Sequence, residues 1–399
     1  MGAPYSRPND AILATMHVDN GRRLQSGLAG VSLVLVALVL ASCSSNPSTP
    51  TASPTTTRPA AASSSTSSTA TTATPSSTLP AVPTSGPLQA GSPIALPFAA
   101  DRVTAAESPD GAVFAAPQDP TSPSPAVAWV VDGNGPAAIA EHVATGIAAL
   151  AADTANFYVA TYSDVFAYSR VSGNQDGQWT MPTVDATNSS DDDLVSMTAA
   201  AGAVLVSVTR GDTVSVYRID PSSSALPRLL VQGLGAAIGS DGSVYYERAD
   251  HHLAVLRPGG ATVTGAVLNH TPNGLGGGVQ YVNDVAGGAV WVSQPAGQGL
   301  DAQFTTYDAA SLAVLGSYSG TVTSSVVDTA AGPLVLEASG SSPSCPQATS
   351  PSSCVFRIDP HGSVSDPVGV GAAVTLVGPG PAIVVSDTTT GQFDLVRLS

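Results

Sequence analysis

The sequence predicts an all-β fold: a seven-bladed β-propeller of four-stranded antiparallel blades, with the ring closed by an N-terminal strand. Three observations predict it. First, a short unit recurs, a turn followed by apolar or aromatic residues alternating with small ones. It opens at Gly111, Ala155, Gly202, Gly242, Gly288, Gly332 and Gly380, at intervals of 44, 47, 40, 46, 44 and 48 residues. Seven copies at that period suit propeller blades. Second, strand-like runs flank each copy. Third, the two ends of the region complement each other. It closes with Phe393–Ser399, a third strand lacking a fourth, and it opens with a spare strand, Ile94–Phe98. Placing the spare strand on the last blade closes the ring and removes an open edge.

Within a blade, each strand can be read in turn. The first is an apolar run such as Leu194–Met197 or Ser325–Val327, and the second is the recurring unit. The third appears as Val165–Arg170, Val214–Ile219, Phe304–Tyr307 and Val355–Ile358. The fourth is shorter, as in Arg228–Val231. Alternation bounded by Gly, Pro, Asn and Asp is the strand-and-hairpin signal. One segment departs from it: Ile139, Val143, Ile147 and Leu150 fall at helical spacing. Gly146 interrupts that pattern and the blade period needs two strands there, so strands are expected. A β-sandwich, the competing fold, would require no such period.

The region ahead of the blades has a different composition. Arg22 and Arg23 precede an apolar run, Leu28–Leu40, and then small residues, as in a secretory signal. The run is shorter than the roughly 20 residues of a membrane-spanning helix. Residues 1–42 are therefore expected to be a signal peptide, with Met16 as an alternative start. Residues 43–91, rich in Ser, Thr, Pro and Ala, lack the apolar side chains to offset ordering entropy and are expected to form a disordered tether. The propeller is expected over 92–399.

Leu40-Ala41-Ser42-Cys43 resembles the bacterial lipobox. That resemblance implies cleavage before Cys43, a diacylglycerol on its thiol, and a lipid-anchored place on the outer side of the cell membrane. The Arg pair could also serve twin-arginine export, but Asn20-Gly21 and Leu24-Gln25 fit that motif poorly. Two other cysteines remain, Cys345 and Cys354, nine positions apart. In an oxidising envelope a disulfide between them is expected, with two free thiols as the alternative.

Charge excludes some functions. The formal charge is −16, and all thirteen basic residues are Arg. Without Lys there is no Schiff-base chemistry, and without a basic run nucleic acid is a poor partner. No nucleophile elbow, zinc-protease helix or phosphate loop occurs. Asp185, Asp191, Asp192 and Asp193 form a weak calcium candidate, because hard cations want several carboxylate oxygens. Their spacing matches no ordered calcium loop, so a solvated acidic loop is the plainer reading and no metal is assigned. His251 and His252 are adjacent in a hairpin and point apart. His142, His270 and His361 stand alone. Trp129, Trp179 and Trp291 are expected in blade cores. No cofactor is predicted.

The strand ends at Tyr217–Pro221, Tyr307–Ser311 and Phe356–Pro360 resemble those of quinoprotein-like and YVTN-type propellers. The whole layout resembles mycobacterial and other actinobacterial propeller lipoproteins. The longer insertions, Pro117–Pro125, Asp185–Asp193, Asn269–Gln280, Gln294–Ala302 and Ser339–Ser353, fall in second-to-third and fourth-to-next-first connections. All of these leave one face of a propeller, and clustered insertions mark a binding face. The expected function is non-enzymatic binding of a protein, glycan or lipid. The alternatives are a quinoprotein-like dehydrogenase using pyrroloquinoline quinone and calcium, or another hydrolase or lyase.

Overall fold

The computed structural model describes residues 87–99, 102–118, 126–132, 135–144, 146–182, 194–210, 213–269, 280–295, 301–321, 325–338, 345, 353–387, 390 and 392–399. All 28 strands among them belong to seven four-stranded antiparallel sheets, which stand as blades in a ring. Blade 3 illustrates the plan. Its strands Leu194–Ala200, Ala203–Arg210, Thr213–Ile219 and Arg228–Gly233 lie side by side in chain order. Tight turns fix the register, with Ala200 opposite Ala203 and Arg210 opposite Thr213. First strands of most neighbouring blades touch one another, so the first strand of each blade lies innermost and the fourth outermost.

Both faces of each blade are covered, which explains why the second strands read as continuous apolar runs. In Ala203–Arg210 the first six positions are buried. Val204, Val206 and Val208 pack with Tyr158, Trp179 and Ile219 at the blade 2 interface. Leu205, one step out of phase, packs instead with Val214, Val216 and Val244 towards blade 4. Seven such clusters exist, one at each junction of neighbouring blades. The core is therefore a ring of wedges. Aromatic stacking fills one wedge, where the ring centroids of Phe114 and Phe157 lie 5.4 Å apart and those of Phe157 and Tyr168 5.2 Å apart. Trp291 and Trp179 are buried as expected. Trp129 departs from that expectation: it lies in the third strand of blade 1, Ala126–Asp132, and is only half-buried.

The repeated glycine has a conformational cause. Gly111, Gly202, Gly242, Gly288 and Gly332 all adopt positive φ, between 71° and 90°, at the first-to-second turn. Residues with a Cβ avoid that region. Blade 2 has Ala155 at this place and builds its turn on a side chain instead: Asp153 accepts from the Ala155 and Asn156 amides at 2.7 Å. The segment with helical spacing is two strands, Gly135–Val143 and Ala149–Ala152, as the blade period requires.

The ring closes as the spare strand implied. Ile94–Ala99 pairs antiparallel with Gln392–Arg397, placing Ile94 opposite Leu395 and Ala95 opposite Asp394. Pairing also reaches back ahead of residue 92. The amide of Gln89 donates to the Ser399 carbonyl at 2.9 Å, Ser399 returns the bond at 3.0 Å, and Gly91 donates to Arg397 at 2.8 Å. Leu88 is buried in the wedge between blades 6 and 7, and Leu96 in the wedge between blades 7 and 1.

Candidate functional site

Antiparallel strands in chain order send first-to-second and third-to-fourth connections to one end of a blade. Second-to-third and fourth-to-next-first connections leave at the other end. We call these ends the turn face and the loop face. The strand bounds place three of the five expected insertions as the longest loop-face connections, at residues 181–193, 268–280 and 339–352. The other two are shorter. Strands extend to Pro295 and from Asp301, which leaves only residues 296–300 between them, and residues 118–125 form the remaining one. The turn face is not uniformly short either, because residues 358–367 and 220–227 form its longest connections. The asymmetry between faces rests on the three longest loops. Asp185, Asp191, Asp192 and Asp193 lie outside the described residues, as do Cys43 and His270.

Turn-face polar groups join blades together. Arg397, at the end of blade 7, donates to Glu107 of blade 1 at 2.8 Å and to the Gly111 carbonyl at 2.6 Å. Arg170 of blade 2 pairs with Asp110 of blade 1 at 3.0 Å and lies over the Phe114 ring, 5.1 Å from its centroid. Arg257 of blade 4 donates to the Ala309 carbonyl of blade 5 at 2.7 Å. A cleft of about 460 Å3 lies beside the first two pairs, lined by Asp110, Phe114, Ile139, Arg170 and Arg397 among others. Its guanidinium groups already serve these ties. Burial raises the Glu107 carboxyl above its ordinary value, opposed by Arg397 and the Gly380 amide. Hydrogen bonds from Arg170 and Ser108 bring Asp110 down to about 2.

The third-to-fourth turns repeat one construction. Asp220, Asp308 and Asp359 each accept a backbone amide two or three residues ahead, from Ser222, Ser311 and His361. Each turn then rests on the preceding blade. The Ser223 carbonyl accepts from the Trp179 indole at 3.1 Å, and the His361 ring bonds the Leu315 carbonyl at 3.1 Å. A Cβ at Gly316 would come within 2.7 Å of His361 backbone, so the outer strand needs glycine there. The Asp-Pro and Asp-Ala strand ends noted in the sequence are thus structural.

On the loop face, the short hairpin between Val244–Glu247 and His252–Leu256 is fully described. His251 adopts φ +64° there, and its Nδ1 lies 2.9 Å from Oε1 of Glu247, whose side chain is fully buried. His252 faces Asp250 instead. The two rings contact different carboxylates, and no sequence pattern signals the Glu247–His251 contact. Its i,i+4 spacing is a helical signature, and nothing in a hairpin sequence signals that one residue will turn to positive φ.

The innermost strands are Val103–Glu107, Ala149–Ala152, Leu194–Ala200, Gly235–Ile238, Tyr281–Ala286, Ser325–Val327 and Ala372–Val377. They are mainly Ala and Val, with a few Leu, Ser and Thr, single Met, Gly, Ile, Tyr and Asn residues, two carboxylates (Glu107 and Asp284), and neither Arg nor His. Asp284 accepts the Val326 amide of the next blade at 3.3 Å. Burial pushes it up to about 7, and that amide bond opposes the rise. The expected disulfide is present: Cys345 and Cys354 are bonded, with Cα atoms 5.7 Å apart, and both are buried. Cys354 lies opposite Glu337, which accepts from Tyr318 at 2.7 Å. Among the described residues no group of three or more His, Cys, Asp or Glu is placed to hold a metal.

No protein family description and no curated protein sequence matches the chain. Solved structures do. The WD40 domain of Toxoplasma gondii coronin is similar at TM-score 0.48 and 10% identity, covering 78% of this chain and 85% of that one. PorZ, an essential surface component of the type-IX secretion system of Porphyromonas gingivalis, gives 0.45 and 12%, covering 75% of this chain and 36% of that one. A nidogen/laminin complex gives 0.35 and 12%, covering 54% and 78%. The chain's own strand order makes it a seven-bladed β-propeller.

Proposed function

We propose that this chain is a lipid-anchored envelope protein, held at the outer side of the cell membrane through Cys43, whose loop face binds a protein, glycan or lipid. One observation carries the reading. The three longest loop-face connections leave one face, while the chain joins its tether at the other. Residues 88–91 pair with the end of Gln392–Arg397, a third strand, which finishes on the turn face. The bound face and the tethered face are then opposite, so neither obstructs the other.

Three of the five insertions contain acidic residues and none contains Arg, which disfavours an acidic partner through like-charge repulsion. A quinoprotein-like oxidation is the weaker reading. The acidic groups of such a quinone need cationic neighbours near the ring axis, and the innermost strands supply none.

Two measurements test the proposal. Labelled palmitate should appear on the wild-type chain and disappear with Cys43→Ala. Replacing residues 183–193 and 270–279 with short Gly/Ser connections should abolish capture of the cell-surface partner while the β-sheet circular dichroism stays unchanged. Retained capture would remove the loop face from the account. Robust dye reduction with the quinone and calcium would replace binding with catalysis.

A further inference from the structure

We infer that the closing strand is a mechanical clasp, oriented so that tension between the tether and a bound partner shears it rather than peels it. The inference rests on the proposed function for the two points of attachment. The mechanics come from the pairing alone.

Ile94–Ala99 runs from the turn face to the loop face, antiparallel to Gln392–Arg397. Its upstream end, at residues 88–91, lies beside Arg397–Ser399 on the turn face. Tension from the tether acts at residue 87, and a partner on the loop face resists from the opposite end of the blades. The force therefore runs along the strand. Interstrand hydrogen bonds lie across the strand direction, so sliding requires the whole set of bonds to fail together. The bonds at Gln89, Gly91 and Ser399 would share the load with the paired positions Ile94, Ala95 and Ala99, between the last two of which the register shifts. Buried Leu88 and Leu96 would have to leave their wedges in the same event.

A second contact reinforces the seam. Arg397, whose carbonyl accepts from Gly91, reaches to Glu107 and Gly111 of blade 1. Gly380 of blade 7 lies against the Glu107 carboxylate, where an added Cβ would come within 2.5 Å of Oε1. The strand that receives the tether is thus tied across the junction that the tether would pull open. The opposite geometry exists in the same molecule. Residue 87 and Ser399 are neighbours at one end of the pair, and pulling them apart breaks one bond at a time.

Single-molecule force spectroscopy on the full folded chain compares the two. One handle is fixed at the Cys43 thiol of the chain produced without its lipid. The other is attached through Asp250→Cys in the loop-face hairpin, or through Ser399→Cys. The expected result is an opening force at least about twofold higher through residue 250, because crossing bonds fail collectively in shear. Arg397→Ala should lower the force through residue 250 and leave the 399 geometry nearly unchanged. Equal or lower force through residue 250 would overturn the clasp. Because no partner is needed, such a failure is distinct from failure of the binding reading, which the capture assay reports. Loss of palmitate labelling would remove the anchor without touching the mechanical result.

Discussion

The turn face and the loop face are opposite ends of the same strands, yet they use polar side chains differently. On the turn face, charged and polar groups reach to the next blade: Arg397 to Glu107, Arg170 to Asp110, Arg257 to Ala309, and the Gly287 amide to Asp328. On the loop face, the described connections bond mainly within their own hairpin. Thr161 bonds with Asp164, and Glu247 with His251. Among the described residues three bonds cross between blades there, from Gln118 to Ala148, from the Ala373 amide to Ser353, and from the Tyr318 hydroxyl to Glu337. The difference teaches where stability resides. Among the described residues, ties between blades are concentrated at the end where residues 88–91 pair with Arg397–Ser399.

If that division is right, removing the closing strand should have the largest effect. Deleting residues 87–99 exposes the edge of blade 7 and two wedges, and cooperative unfolding in urea should be lost. Arg397→Ala comes next. It leaves the buried Glu107 carboxylate without its cation, which should cost about 3 kcal/mol in chemical denaturation. The double change Cys345→Ser, Cys354→Ser removes a short cross-link on the loop face, and about 2–3 kcal/mol is expected. Replacing residues 183–193 by a short linker should shift stability by less than about 0.5 kcal/mol. A larger loss from this loop than from Arg397→Ala would break the comparison.

Asp284 adds a pH dependence on the inner wall. Its folded pKa, about 7, lies above the ordinary 3.8, so the folded chain holds a proton that the unfolded chain has released. Below both values the group is protonated in each state and has no effect. As pH rises from 3.8 towards 7 the folded state loses relative stability, and above 7 the loss levels off. Asp284→Asn should therefore flatten the slope of melting temperature against pH over that window. An unchanged slope would mean that Asp284 is not the group responsible.

Much of the architecture was legible in the sequence because it is periodic. Gly111, Gly202, Gly242, Gly288 and Gly332 mark a turn that only glycine enters easily. The spare strand and the incomplete seventh blade accounted for each other. The ties between blades were not legible. Glu107 and Arg397 stand 290 residues apart, and no local pattern links them. Asp284 carried a fainter signal, a lone carboxylate inside an innermost strand. Its raised pKa comes from burial that only the ring creates. The loop face was legible as insertions but not in proportion, because strand ends extended into Gln294–Ala302 and left that connection short.

The central claim, that the loop face makes the contact, is tested most directly by site-specific photo-cross-linking in intact cells. A photoreactive residue is placed at Asp250 on the loop face or at Val171 on the turn face, where the side chain is 97% exposed. Discrete adducts from position 250 and none from 171 are predicted. Adducts from 171 alone, or equally from both, would contradict the account.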